Sequence, residues 1–341
     1  MLDLTPVKWE VGALSILDQR LLPSRVERLR CTSVEQVAEA IRTLAVRGAP
    51  TLGIVGGYSV ALAAHTYSGN DLDSCIKYIQ KAGETIKSTR PTARNLFWGV
   101  DRVIEAAKKC VSVDEVKGAT LREAHTILQE EVKRDELIGA HGSKLIHDGD
   151  LVLTHCNTGQ LATGGIGTAL GVIRTAWEQG KRFKVFATET RPLLQGARLT
   201  TLELLNMGVP VTLIVDSAAG YLMRTKKVGL VVVGADRILA DGSTANKIGT
   251  YTLAVLAKQH GVPFYVAAPL STFDLESREI TVEQRSPDEV RGFNGVRVAP
   301  DAVDAWNPAF DITPPTLISG IITEKGVLEA PFEHSIRKAF T

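Results

Sequence analysis

The chain has 341 residues, 44% of them hydrophobic, enough to bury the core of one large domain or two ordinary ones. Its 39 Lys and Arg and 38 Asp and Glu residues are interspersed and leave a formal net charge of +1. That balance argues against nucleic acid or an acidic membrane as partner and for a small molecule. The start, MLDLTPVKWEVGALSILDQR, lacks a basic run followed by an apolar one, and no apolar stretch is long enough to span a bilayer, so a cytoplasmic protein is expected.

In chain order, short strands are predicted around Val7 to Leu17. From about Ser33 to Glu136, segments such as SVEQVAEAIRTLAV and LDSCIKYIQKAGETIKS repeat apolar residues every three or four positions, the helical period. A small, mostly helical domain over 1–135 follows from this, joined through Glu130 to Gly142 as one continuous helix to a second domain over 136–341. There the pattern changes. Five short, near-continuous apolar runs, DLVLTH, FKVFATE, VPVTLIVD, VGLVVVGAD and VPFYVAAP, alternate with amphipathic stretches. This predicts an α/β chain whose catalytic domain is a Rossmann-like parallel sheet covered on both faces. In such sheets ligands bind beyond the carboxyl ends of the strands. Following each run to its end gives Cys156, Glu189 with Arg191, Asp216, Asp236 and the AAPLSTFD segment.

The four cysteines, Cys31, Cys75, Cys110 and Cys156, stand far apart with no C-x-x-C pair, which disfavours a disulfide framework or a zinc site. His155 does not restore zinc, because adjacent strand residues point to opposite faces, and it is read as packing on the sheet. Cys156 remains either a small buried hydrophobe or a group with chemistry. The following CNTGQLATGGIGTALG lacks the third glycine of a dinucleotide fingerprint, Leu170 standing in its place, so no nicotinamide cofactor is expected. Asp236 reads as a carboxylate in dry surroundings fit for proton transfer, or as an ion-pair partner of Arg237 or a cap of the next turn. Asn246 and Lys247 put an amide and a cation at a predicted helix N-terminus. Arg47 precedes a Gly48-Ala49-Pro50 turn that starts a helix, and Arg90 precedes a proline that can begin another; both are solvated surface residues or bidentate anion ligands. Gln195 heads a helix where it can bind sugar hydroxyls, while Arg191 and Arg198 are read as pairing with Glu189 and Glu203.

RGAPTLGI, RPTARNLFW, THCNTGQLATGGIGTALGVIR, ETRPLLQGARLT, GADRILADGSTANKIGTY, PFYVAAPLSTFD and NPAFDITPPTLISGIITEKG occur in this order over nearly the whole chain. As a set they resemble the methylthioribose-1-phosphate isomerase family, within a larger group that includes ribose-1,5-bisphosphate isomerase and regulatory subunits of a eukaryotic translation-initiation exchange factor. The resemblance implies a homodimeric isomerase of the methionine salvage pathway acting on a sugar phosphate; from the residues themselves no cofactor and no metal are expected. It puts the catalytic cysteine on Cys156 and the catalytic aspartate on Asp236. Its ligand-binding positions fall on Arg47 with the Gly48-Ala49 amides, Arg90, Gln195, Asn246 and Lys247. Gly56-Gly57 and Gly165-Ile166 depart from the family pattern and are expected to widen the pocket around the sugar's 5-substituent. Leu96 to Trp98 and NPAFDITP favour a thioether over a second phosphate there.

Overall fold

Ser33 marks the change from strand to helix early in the chain. Its hydroxyl accepts the Gln36 N–H while the Gln36 side chain accepts the Ser33 N–H, a reciprocal cap that fixes where the helix begins. The computed structural model describes residues 2–91, 93–293 and 295–341. These divide into two units, residues 2–133 with 160–167, and residues 134–159 with 168–341.

In the first unit, β1 (Val7–Glu10), β2 (Ala13–Leu17) and β3 (Arg28–Cys31) form an antiparallel sheet in that order. The helices follow: α1 (Val34–Arg42), α2 (Ala49–Thr66), α3 (Leu72–Lys87), α4 (Arg94–Ala107), α5 (Val113–Gly142) and the single turn α6 (Gln160–Thr163). α5 runs for 30 residues, past position 133. Every residue of α2 from Pro50 to Ala64 is buried, as befits a helix apolar on all faces at the centre of a bundle. Its glycines let α4 approach: a Cβ on Gly99 would stand 2.0 Å from the Gly53 carbonyl oxygen. Gly53 faces Asn95, Gly56 faces Leu96 and Val100, and Gly57 faces Val103. The numbers rise together, so α2 and α4 run parallel and start at the same end. Gly56 and Gly57 are therefore helix-packing residues and not the pocket-widening ones expected from the sequence. Leu96 likewise is fully buried in this core.

The second unit holds a seven-stranded sheet. Its strands are β4 (Leu151–Thr154), β5 (Lys184–Thr188), β6 (Val211–Ile214), β7 (Leu230–Val233), β10 (Phe264–Ala267), β15 (Gly320–Thr323) and β16 (Gly326–Leu328). The helices α7 (Ala169–Glu178), α8 (Thr201–Asn206), α9 (Ala219–Thr225), α10 (Thr250–His260), α11 (Asp288–Arg291) and α12 (Phe332–Ala339) belong to this unit. The order β16-β15-β10-β7-β4-β5-β6 is parallel except for β16. The five apolar runs became β4, β5, β6, β7 and β10. Chain order proceeds from β4 through β5 and β6 on one side, then from β7 through β10 and β15 on the other, so the sheet reverses direction between β4 and β7. That is the strand order of dinucleotide-binding sheets, whose ligands sit at the reversal. Beside it, β8 (Arg237–Leu239), β9 (Thr244–Lys247), β11 (Phe273–Asp274) and β14 (Phe310–Thr313) form a second sheet in the order β11-β8-β9-β14, and β12 (Gly292–Phe293) pairs with β13 (Val296–Arg297). No helix among the described residues is long and apolar enough to cross a membrane.

Candidate active site

The reversal in strand order selects two residues. Cys156 follows β4 and Asp236 follows β7, the adjacent parallel strands that flank it. The two turns touch: a Cβ on Gly234, just past β7, would stand 2.5 Å from the Thr158 methyl, just past Cys156.

Cys156 is buried, with only 7% of its surface exposed, and takes φ = 60°, a left-handed backbone that costs a non-glycine residue about 1 kcal/mol or more. The surroundings hold it there. Its N–H donates to Thr190 Oγ1 at 2.9 Å, and its carbonyl accepts the Thr200 hydroxyl at 2.5 Å. Thr190, past the end of β5, is itself left-handed at φ = 65°. The Asp216 carboxylate, past the end of β6, accepts the N–H groups of Thr190 and Arg191, both at 2.7 Å. Three neighbouring strand ends thus fix one thiol. Strained backbone of this kind clusters at functional sites.

Gln195 ends the same loop, directly before a π-helical turn over Gly196–Thr200, a distortion common at functional sites. A Cβ on Gly196 would lie 1.8 Å from the Thr188 carbonyl oxygen and 2.9 Å from Thr190 Oγ1. Gly196→Ala should therefore cost about 1–3 kcal/mol of stability and lower turnover together. Denaturant midpoint and kcat measured on the same preparation check this, and an unchanged kcat in a destabilised variant would separate Gln195 from the chemistry. Gln195 is 7% exposed, and its Oε1 is buried with no protein partner, as is Thr158 Oγ1. Buried acceptors left unmatched by protein are what a ligand's hydroxyls can satisfy.

Asp236 differs from its expected setting. It occupies an exposed bend rather than dry surroundings, and its N–H donates to Ala245 O on β9 at 2.9 Å. Arg237 reaches toward the buried Asp274 at 3.7 Å. Asn246 and Lys247 also differ: they end strand β9, and α10 starts only at Thr250, with Gly249 as its N-cap at φ = 104°. The Asn246 amide donates to Thr250 Oγ1 at 2.9 Å. Lys247 Nζ donates to Ala309 O at 2.9 Å and lies 4.4 Å from the centre of the Phe310 ring. Arg191 spends its guanidinium on the carbonyls of Pro192, Glu289 and Val290, not on Glu189 as expected, and Arg198 donates from Nε to Leu193 O.

The start of α10 is capped by Asp311. Its carboxylate accepts the N–H groups of Gly249 and Tyr251 at 2.7 and 3.0 Å. Burial nevertheless pushes its pKa up to about 6, against the pull of those donors and of Lys247. The folded chain therefore binds more protons than the unfolded one from about pH 4 to 6, and stability falls as pH rises through that window. Asp311→Asn removes the dependence. The Tm of the variant minus that of the wild type should grow from pH 4 to 7, and a constant difference would contradict this.

In the first unit, Arg47, Gly48 and Ala49 stand at the start of α2, where Gly48 takes φ = 100° and no side chain caps the helix. Uncapped amides at the start of a long helix favour an anion. A Cβ on Gly48 would stand 2.3 Å from Ala162 O, so only glycine permits the approach of that turn. Arg90 precedes the parallel helix α4, but the helix begins at Arg94 and not at the proline; Thr92 of the RPT motif lies outside the described residues. The sequence reading missed Gln19. Fully buried, it accepts Arg47 Nε at 3.0 Å and donates to Leu161 O at 2.8 Å, locking the arginine to the 160–163 turn. A polar residue at the end of the buried strand pattern of β2 was the available signal. No cluster of His, Cys, Asp and Glu suited to a metal occurs among the described residues.

Known proteins carry the same framework. Residues 45–330 match the initiation factor 2 subunit family. The methylthioribose-1-phosphate isomerases of Carboxydothermus hydrogenoformans and Desulforudis audaxviator are each 49% identical to this chain over 97% of it, and over 98% and 96% of their own lengths. The chain belongs to the methylthioribose-1-phosphate isomerase family. A solved member, 5-methylthioribose 1-phosphate isomerase from Pyrococcus horikoshii OT3, superposes with a TM-score of 0.93 at 42% identity, covering 98% of this chain and 95% of that one. A structure described as translation initiation factor eIF-2B, subunit delta, from A. fulgidus gives 0.91 at 47% identity over 99% of both chains. The family and the fold expected from the sequence are thus both present.

Proposed function

We propose that this chain converts 5-methylthioribose 1-phosphate to 5-methylthioribulose 1-phosphate, the isomerisation its family is named for, as a step of methionine salvage in the cytoplasm. The observation that carries the reading is the placement of a strained, buried thiol and a carboxylate after the two strands that flank the reversal of the sheet. A regulatory protein that only bound a sugar phosphate would have no need of that pair.

The substrate sets the chemistry. An ordinary aldose opens to a free aldehyde, but here the anomeric carbon carries a phosphate ester, so the ring must open and hydrogen move from C2 to C1 with the phosphate retained. Asp236 serves as general acid and base at the ring oxygen and the C2 hydroxyl. Cys156 is the second group: it takes and returns the C2 proton if the route is an enediolate, or stabilises the cation with its polarisable sulfur if hydride shifts. Deuterium at C2 separates the two, being lost to solvent in the first and carried to C1 in the second. Arg47, Arg90 and Lys247 hold the phosphate, with the Gly48 and Ala49 amides, and Gln195 and Asn246 orient hydroxyls. 5-Deoxyribose 1-phosphate, which lacks only the methylthio group and brings no second charge to the 5-position, is a second substrate. We also read the chain as a homodimer, supported by the exposed Leu213 and Val215 at edge strand β6 and the exposed Tyr221 on α9.

The test is incubation of EDTA-treated protein with 5-methylthioribose 1-phosphate, 5-deoxyribose 1-phosphate and ribose 1,5-bisphosphate, following ketose phosphate by NMR. Rapid conversion of the first two is expected. Turnover of the bisphosphate alone would reassign the chain to ribose-1,5-bisphosphate isomerisation, and turnover of none would reassign it to regulation.

A further inference from the structure

His155 is buried beside the thiol, and the mechanism above does not use it. Both ring nitrogens are engaged: Nε2 lies 2.8 Å from Ile248 O and Nδ1 lies 2.6 Å from Thr188 Oγ1. A carbonyl only accepts, so the proton is on Nε2, and Nδ1 must accept the Thr188 hydroxyl. Burial pushes the imidazole pKa below its usual value, which agrees with a neutral ring. Thr190 Oγ1 accepts the N–H of Cys156, and its own proton has two acceptors on Thr188, the carbonyl oxygen at 3.3 Å and Oγ1 at 3.4 Å. The contacts therefore link the Cys156 N–H through Thr190 to Thr188, and the Thr188 hydroxyl to His155 and on to Ile248 O. At the far end the ring also packs on Gly249, where a Cβ would stand 2.9 Å from Cε1. Ile248 and Gly249 directly follow Asn246 and Lys247 and lead into α10, with Gly249 as its left-handed N-cap.

We propose that His155 is a positioning residue for the isomerase: a neutral imidazole that ties the thiol-bearing turn after β4 to the ligand-binding turn after β9. The proposal rests on the reading of Cys156 as catalytic and of Asn246 and Lys247 as ligands. One arm of the ring, through Nδ1 and the two threonines, fixes the backbone that aims the thiol. The other arm, through Nε2, fixes the backbone that presents Asn246 and Lys247. The arms can be cut separately, because an asparagine amide occupies the place of Nδ1 and a glutamine amide that of Nε2.

His155→Asn keeps the Thr188 arm and releases Ile248; KM should rise about tenfold, the size of one lost hydrogen bond, with kcat little changed. His155→Gln keeps Ile248 and releases Thr188; kcat should fall about tenfold with KM little changed. Thr188→Val, which preserves shape and leaves the histidine in place, should reproduce the His155→Gln split and add little to it in the double variant. Wild-type turnover is measured first. If the wild type converts none of the sugars, the functional reading itself has failed. If it is active and both histidine variants change kcat and KM alike, or neither does, the positioning role is overturned. Should the histidine variants not fold, Thr188→Val decides alone: a fall in kcat at constant KM supports the proposal, and wild-type constants overturn it.

Discussion

Asp236→Asn is expected to lower kcat by about 10²- to 10⁴-fold, the usual worth of a positioned acid–base group, with KM changed far less. The substitution keeps the shape of the side chain and removes its charge and its acidity. Asp236 sits in an exposed bend, and the N–H it donates to Ala245 O is retained by asparagine. An amide of the same shape can still hydrogen-bond a sugar hydroxyl, but it cannot take up or release a proton at neutral pH. Thermal unfolding measured on the same preparation separates a loss of chemistry from a loss of fold. If kcat stays within a few-fold of wild type, Asp236 is a binding residue and the proton must come from elsewhere.

Cys156 carries the second large effect. Cys156→Ser should lower kcat by about 10²-fold or more, because a hydroxyl is neither as acidic nor as polarisable as a thiol. Serine also leaves the left-handed backbone strain in place, so this variant alone does not separate geometry from chemistry. Cys156→Gly does. Glycine adopts φ = 60° freely, so the turn between Thr190 and Thr200 is kept while the sulfur is removed. The expected result is a folded, inactive protein whose remaining activity is no higher than that of the serine variant. Substantial activity in Cys156→Gly would mean that the turn, and not the thiol, is what the reaction needs.

The parallel sheet was legible because its central strands are buried on both faces and read as unbroken apolar runs, β7 most plainly as LVVV. The rule that sites lie beyond strand ends then gave Cys156 and Asp236 among several rim residues, and the resemblance singled out these two. Strand order was not legible, since nothing local in β4 or β7 says that they are neighbours. The second sheet was hidden for another reason. β9 is only TANK, four residues whose polar ends look like a helix cap, and it becomes a strand because β8 and β14 pair with it on both sides. Long-range pairing therefore overrode the local signal at Asn246 and Lys247. Gly56 and Gly57 misled in the same way: glycine opens space equally for a ligand or for a neighbouring helix, and only the approach of α4 shows which. Thr188, Thr190 and Gln19 escaped notice, and His155 was read as packing on the sheet, because their contacts are with residues distant in the chain, as when Gln19 meets Leu161.

The most direct test of the central claim is a crystal structure of Asp236→Asn soaked with unreacted 5-methylthioribose 1-phosphate. The account predicts C2 of the sugar beside the Cys156 sulfur, the ring oxygen or C2 hydroxyl within hydrogen-bond distance of the residue 236 side chain, and the phosphate on Lys247. A sugar bound with C1 and C2 away from both side chains would contradict it, whatever the activity of the variant.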